Sequence, residues 1–128
     1  MKDIENHADI ELLVNTFYEK VQKDDLIGHI FNDIAQVNWD KHLPIMYSFW
    51  SSVLFGEANY KGNPMLVHIS LDQKTRLTPI HFERWLSLFE ATLNQLFEGK
   101  TKDEAYKKAS AIQGLMQYKI DQARKGFC

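Results

Sequence analysis

Five histidines are the residues of this chain best able to carry chemistry: His7, His29, His42, His68 and His81. No two stand as His-x-x-x-His, the helical spacing that brings two imidazoles to one zinc ion. The Glu-x-x-His repeats of a di-iron bundle are also missing. No serine, cysteine or lysine lies in a nucleophile motif, and no glycine-rich loop follows a strand, so hydrolase, transferase and nucleotide-binding chemistry lack their usual signatures. His7 and His29 fall in polar or turn-like stretches and read as surface residues. His81 lies in the first turn of a helix, where a cation opposes the helix dipole, and reads as a neutral surface side chain.

His42 and His68 differ, because each sits on an apolar stripe. Taken singly, either fits as a hydrogen-bonded core histidine. As a pair on two helices whose stripes are filled with aromatics, they also fit a flat apolar ligand with one imidazole on each face. Haem has that shape, and neutral histidine is a common axial ligand to its iron. Tyr18 and Trp85 bear on the same question. Tyr18 adjoins Phe17 and lies one turn from Val14 and Val21, while Trp85 lies mid-stripe on its helix. A buried phenol or indole donor needs a partner. Either donor fits a backbone carbonyl at the core edge. Convergence of both with His42 would instead make a polar pocket in an apolar interior, and periodicity leaves the two arrangements open.

The elements that must position these residues read as helices. Ile10, Leu13, Val14, Phe17 and Val21 recur at three- and four-residue spacing, one face of a helix. "DDLIGHIF" is a short turn-like helical piece. A second stripe runs from Trp39 through His42, Ile45, Met46, Phe49, Trp50 and Val53, with Pro44 inside it removing one backbone hydrogen bond. "FGEANYKGNP" is a loop ending in Asn63 as N-cap and Pro64 at the first helical position, so His68 projects from the second turn of a short helix. After the loop "DQKTRLTP", Thr78 and Pro79 repeat that signature and open a helix carrying Phe82, Trp85, Leu86, Phe89, Leu93 and Leu96. Gly99 stops it. Thr101 and Glu104 then form a capping-box pair for a last helix over residues 101–125. Sustained alternation and hairpin turns are missing, and the chain reads as all-α.

Composition bounds the function. With 128 residues, 45% hydrophobic and 25% charged, the chain suits one domain over residues 1–128, burying roughly two thirds of its unfolded surface. The net charge of -2 and pI near 6.2 provide no basic face for nucleic acid or anionic lipid. No apolar run approaches about 18 residues, and "MKDIENHADIELL" is acidic where a secretory signal would be apolar. A cytoplasmic protein, with neither nucleic acid nor membrane as partner, is expected. Cys128 is the single cysteine, so an internal disulfide and Cys-x-x-Cys-His haem attachment are excluded, and any cofactor is held non-covalently.

The run "FYEKVQKDDLIGHIF", followed by "WDKHLPIMYSFWSSVLFGEANYKGNPMLVHISLD" and "HFERWLSLFEATLNQLF", resembles the truncated haemoglobins, specifically their third group. The likeness covers about residues 10–98. The order of "HLPIMYSFW", "YKGNPMLVH" and "HFERWL" is its specific part, and the double-glycine motifs of the other two groups are missing. The last helix matches only as a generic amphipathic one. The resemblance implies a shortened globin fold, a two-over-two helical sandwich around haem b (iron protoporphyrin IX, held non-covalently). Carried over residue by residue, it makes His68 the proximal iron ligand. Tyr18, His42 and Trp85 become the distal ligand-binding residues, Phe31 packs on the porphyrin edge, and Met46 and Phe49 line the distal wall. Arg76, Lys41 and Tyr60 are candidates by position for pairing with the propionates.

The partners so implied are the diatomic gases O₂, CO and NO. Bound O₂ carries partial negative charge, so each donor contributes about 1.5–3 kcal/mol. Two donors slow its release roughly a hundredfold or more. That retention suits oxidative or nitrosative stress chemistry, or sensing, better than bulk transport. NO dioxygenation or peroxidase-like turnover is the enzymatic alternative and needs an external reductase. A cofactor-free helical interaction module is the alternative outside the haem reading. A monomer or weak dimer is expected.

Overall fold

The computed structural model describes residues 1–58, 72 and 75–125. Helix α1 spans His7–Lys23, a π-helical turn covers Ile30–Ile34, α2 spans Trp39–Phe55, α3 Pro79–Leu96 and α4 Lys100–Lys125. No strand occurs among the described residues, and none of their helices is long and apolar enough to cross a membrane. The expected short helix carrying His68, with its Asn63–Pro64 cap, lies outside the described residues, as does Tyr60. Helix α1 packs on α2 and on α3, while α4 packs on α3 and α2. Two helix pairs thus cross, the two-over-two arrangement that the resemblance implied.

The core is built on the stripe of α1. Ile10, Leu13, Val14, Phe17 and Val21 are all buried, against Phe89 and Leu93 of α3 and Ala105 and Ala109 of α4. Asn6 starts α1 by accepting a hydrogen bond from the Asp9 amide at 3.0 Å. Helix α2 buries less of its stripe than its pattern suggests: Trp50 is enclosed, whereas Ile45 is 48% exposed. The apolar arc of α2 is wider than the face its neighbours cover. Pro44 lies in the second turn, and the helix runs through it to Phe55.

Two features set the approach to the site. Asp24, just past α1, accepts hydrogen bonds from the Leu26 and Ile27 amides at 3.0 Å each, and its other carboxylate oxygen pairs with Arg84 of α3 at 2.8 Å. Gly28 follows in this turn, where a Cβ would stand 2.9 Å from the Gln22 carbonyl oxygen. The tight reversal sends the chain into the π-helical turn, where the Ala35 amide reaches the Ile30 carbonyl at 2.7 Å. Such turns insert a residue and re-aim side chains, and they are frequent at functional sites.

Helix α4 begins at Lys100, one residue before the expected capping box, and its first amides have a distant acceptor. Asp3 accepts from the Thr101 and Lys102 amides, both at 2.8 Å. Gly99 (φ +132°) makes room, since a Cβ there would lie 2.6 Å from Asp3 Cγ. Burial pushes the carboxyls of Asp3, Asp9 and Asp24 up, but hydrogen bonds outweigh it and hold all three below the ordinary 3.8. Lysine, arginine and backbone amides supply those bonds. Depressed folded values mean that the stability these groups confer is present above the unfolded value and lost as pH falls through the folded ones. Thermal melts from about pH 6 to about pH 2 are therefore expected to show Tm dropping below about pH 4. Asp3→Asn should flatten part of that drop and cost about 1 kcal/mol at neutral pH. An unchanged acid limb in that variant would remove Asp3 from the account.

Candidate distal pocket

Three of the residues singled out by sequence meet where α1, the π-helical turn and α2 converge. Tyr18 projects from the buried side of α1 and is 6% exposed. Its ring stands 5.2 Å from that of His42, edge on at 82°, and 6.1 Å from that of Phe31. His42 lies one turn into α2, its amide bonded to the Asn38 carbonyl at 2.8 Å, and its Nε2 atom is shut off from solvent. Met46, one turn further, and Phe49 on the same stripe are half-buried against the core.

Trp85 approaches from the other side. It stacks on Phe89 (5.8 Å, 3°) and meets the edge of Phe17 (5.7 Å, 87°), while Phe17 in turn touches Tyr18 at 4.8 Å. Phe17 therefore lies between the phenol and the indole, and among the described ring contacts Trp85 has none with Tyr18 or His42. Arg76 is exposed on the segment leading into α3, and Lys41 is exposed on α2. His68 lies outside the described residues.

Two groups were missed by sequence reasoning. Trp39 stacks on Phe31 and touches both Tyr18 and His42, yet its only sequence signal was the first place in an apolar stripe. His81, read as a surface side chain, is half-buried and its Nδ1 accepts the Thr78 amide hydrogen at 3.1 Å. It thereby closes the cap of α3, the helix that carries Trp85. That bond requires an unprotonated Nδ1. Burial, aided by the charge of nearby His29, holds the imidazole below its ordinary range, which favours the capping form.

The chemistry of the pocket is that of a hydrogen-bond donor kept dry. Burial pushes the Tyr18 phenol well above its usual range, so it stays protonated. No hydrogen bond is made by its hydroxyl among the described residues. An acceptor placed beside that hydroxyl would complete its hydrogen bonding. Around it Phe31, Trp39, Met46 and Phe49 remain only half-buried, apolar surface that the described elements leave incompletely covered. A flat apolar cofactor whose ligand offers an acceptor fits both features.

Comparison with known proteins agrees. The family model for bacterial-like globins matches residues 2–118. A group 3 truncated hemoglobin of Campylobacter jejuni is 34% identical over 110 residues, covering 84% of each chain. The crystal structure of a group III truncated hemoglobin from Campylobacter jejuni superposes with a TM-score of 0.81 at 33% identity, covering 94% of this chain and 95% of that one. The chain belongs to the truncated haemoglobins of the third group. As a globin it is a haem protein that binds diatomic gases. Helices α1 and α2 and the π-helical turn between them bring Tyr18, Phe31 and His42 together here.

Proposed function

We propose that this globin holds haem b non-covalently, with His68 as the axial ligand and Tyr18, His42 and Trp85 facing a diatomic gas on the opposite side. The reading includes retention of O₂ for oxidative or nitrosative chemistry or for sensing, in the cytoplasm, rather than bulk transport. The observation that carries it is the Tyr18 phenol, held protonated on the buried side of α1 with its ring against Phe31, Trp39 and His42. Haem supplies an iron centre that binds gases and exchanges electrons.

The remaining work falls to the chain. Tyr18 offers its proton to an acceptor placed beside it, in surroundings that strengthen the bond by excluding water. His42, edge on to Tyr18, packs against the phenol ring from the α2 side. Phe31, Met46 and Phe49 give a porphyrin apolar surface to lie against. Arg76 and Lys41, both exposed, are placed to pair with carboxylates at the pocket mouth rather than inside it.

The absorption spectrum of haem-supplemented protein, ferric and then reduced under CO, tests the reading together with His68→Ala. An intense Soret band that shifts under CO and is lost or weakened in the variant is the expected result. A wild-type spectrum without a Soret band, from a protein with full helical circular dichroism, would falsify it. A band untouched by His68→Ala would move axial ligation to another residue.

A further inference from the structure

The distal cluster has a member to which the reading above gives no role. Trp39 is the first residue of α2, and its ring meets three others: Phe31 in a stack at 6.1 Å and 23°, Tyr18 at 5.3 Å, and His42 edge on at 5.5 Å and 83°. Tyr18 touches the same rings from inside and is buried, whereas Trp39 is half-buried. Trp39 is therefore the outer of the two hubs.

The backbone holds it there. The Val37 amide bonds the Phe31 carbonyl at 3.0 Å, tying the start of α2 to the π-helical turn. Between them Gln36 takes φ +50°, a left-handed conformation that strains a non-glycine residue and persists only where the surroundings fix it. In the first turn of α2 the Lys41 and His42 amides both reach the Asn38 carbonyl, at 3.1 and 2.8 Å. Trp39 and His42, three residues apart on one helix face, are thus set by the same turn. A flat indole against the edge of an imidazole restricts rotation of the imidazole. The same indole covers one side of the phenol.

We infer that Trp39 is a positioning residue of the distal pocket: its ring fixes His42 against Tyr18 and keeps water from the Tyr18 hydroxyl. The link to gas binding rests on the haem reading; the packing does not. Trp39→Ala opens the outer side of the cluster, while Trp39→Phe keeps a flat apolar ring that still shields the phenol.

The test is a pH titration of protein labelled with ¹³C at tyrosine Cζ, as purified and after loading with haem under CO, with Tyr18→Phe to assign the signal. In wild type Tyr18 is expected to stay protonated from about pH 9 to 12. In Trp39→Ala its titration should fall by about one pH unit or more, as water reaches the hydroxyl. Trp39→Phe should restore the wild-type behaviour. CO association measured by flash photolysis should be faster in Trp39→Ala and unchanged in Trp39→Phe. A Tyr18 signal that titrates identically in Trp39→Ala and wild type overturns the inference. Should Trp39→Ala not fold, Trp39→Leu replaces it: an aliphatic side chain cannot cover the phenol face, so wild-type titration there overturns the inference equally. Absence of a Soret band in wild type would count against the haem reading alone, because the titration of the protein as purified still decides the role of Trp39.

Discussion

Replacing Tyr18 with phenylalanine is expected to speed O₂ release by about tenfold to a hundredfold. The substitution removes one oxygen atom from a ring whose packing against Phe17, Phe31, Trp39 and His42 is otherwise retained. What disappears is a charge-assisted hydrogen bond worth about 1.5–3 kcal/mol, and each 1.4 kcal/mol or so is a factor of ten. The unliganded protein should be indifferent to the change. Its hydroxyl makes no hydrogen bond among the described residues, so deleting it leaves Tm unchanged. Stopped-flow displacement of O₂ by CO gives the rate, and a thermal melt gives the stability. Trp85→Phe in the same series should raise the off-rate by roughly tenfold. An off-rate within about twofold of wild type for Tyr18→Phe would take the phenol out of ligand retention.

The largest effect on stability is expected from Phe17→Ala. Phe17 is fully enclosed and its ring touches those of Tyr18, Trp85 and Phe89, at 4.8, 5.7 and 5.1 Å. Truncation of a buried phenylalanine costs about 3–5 kcal/mol from lost transfer energy and residual cavity. The whole fold has only about 5–15 kcal/mol to lose. Circular dichroism should show Tm lowered by roughly 10–20 °C. Because the same ring separates Tyr18 from Trp85, the surviving protein should also bind ligand heterogeneously, with multiphasic rebinding after photolysis. A drop of less than about 5 °C would mean that the neighbouring rings collapse into the gap, and that Phe17 does not hold the two donors apart.

Local signals in the sequence and local structure agree closely. The α1 stripe from Ile10 to Val21 is the buried face, and the Thr78–Pro79 signature opens α3 where the cap was expected. These elements were legible because periodicity and capping act within a few residues. Tyr18 and His42 were singled out through their place in the ordered family pattern, and the structure brings their rings into contact. Other features lacked such a signal. The π-helical turn depends on amides reaching five residues back, a pattern without a composition of its own. Ile45 was placed in the α2 stripe by spacing, but its exposure depends on how wide a face α1 and α4 cover. His81 was weighed only as a charge near a helix dipole, whereas its neutral ring serves as an acceptor for the cap. Trp39 needed three partners from α1, α2 and the turn to become visible as a hub, and no window of sequence contains all of them.

The cap on α4 has a consequence in time. Asp3 and the amides it accepts from are 98 and 99 positions apart, so closing that contact means joining about three quarters of the 128-residue chain into one loop. Loop-closure entropy makes such a contact unfavourable until shorter-range contacts have formed. The α1 face and the aromatic rings of Tyr18, Trp39 and His42 lie within a much shorter span and can assemble first. Asp3 then acts on the way out of the native state rather than on the way in: it slows the departure of α4 without hastening its arrival. A pocket that must keep water from a phenol is protected less by how fast the helices meet than by how rarely the last of them lets go.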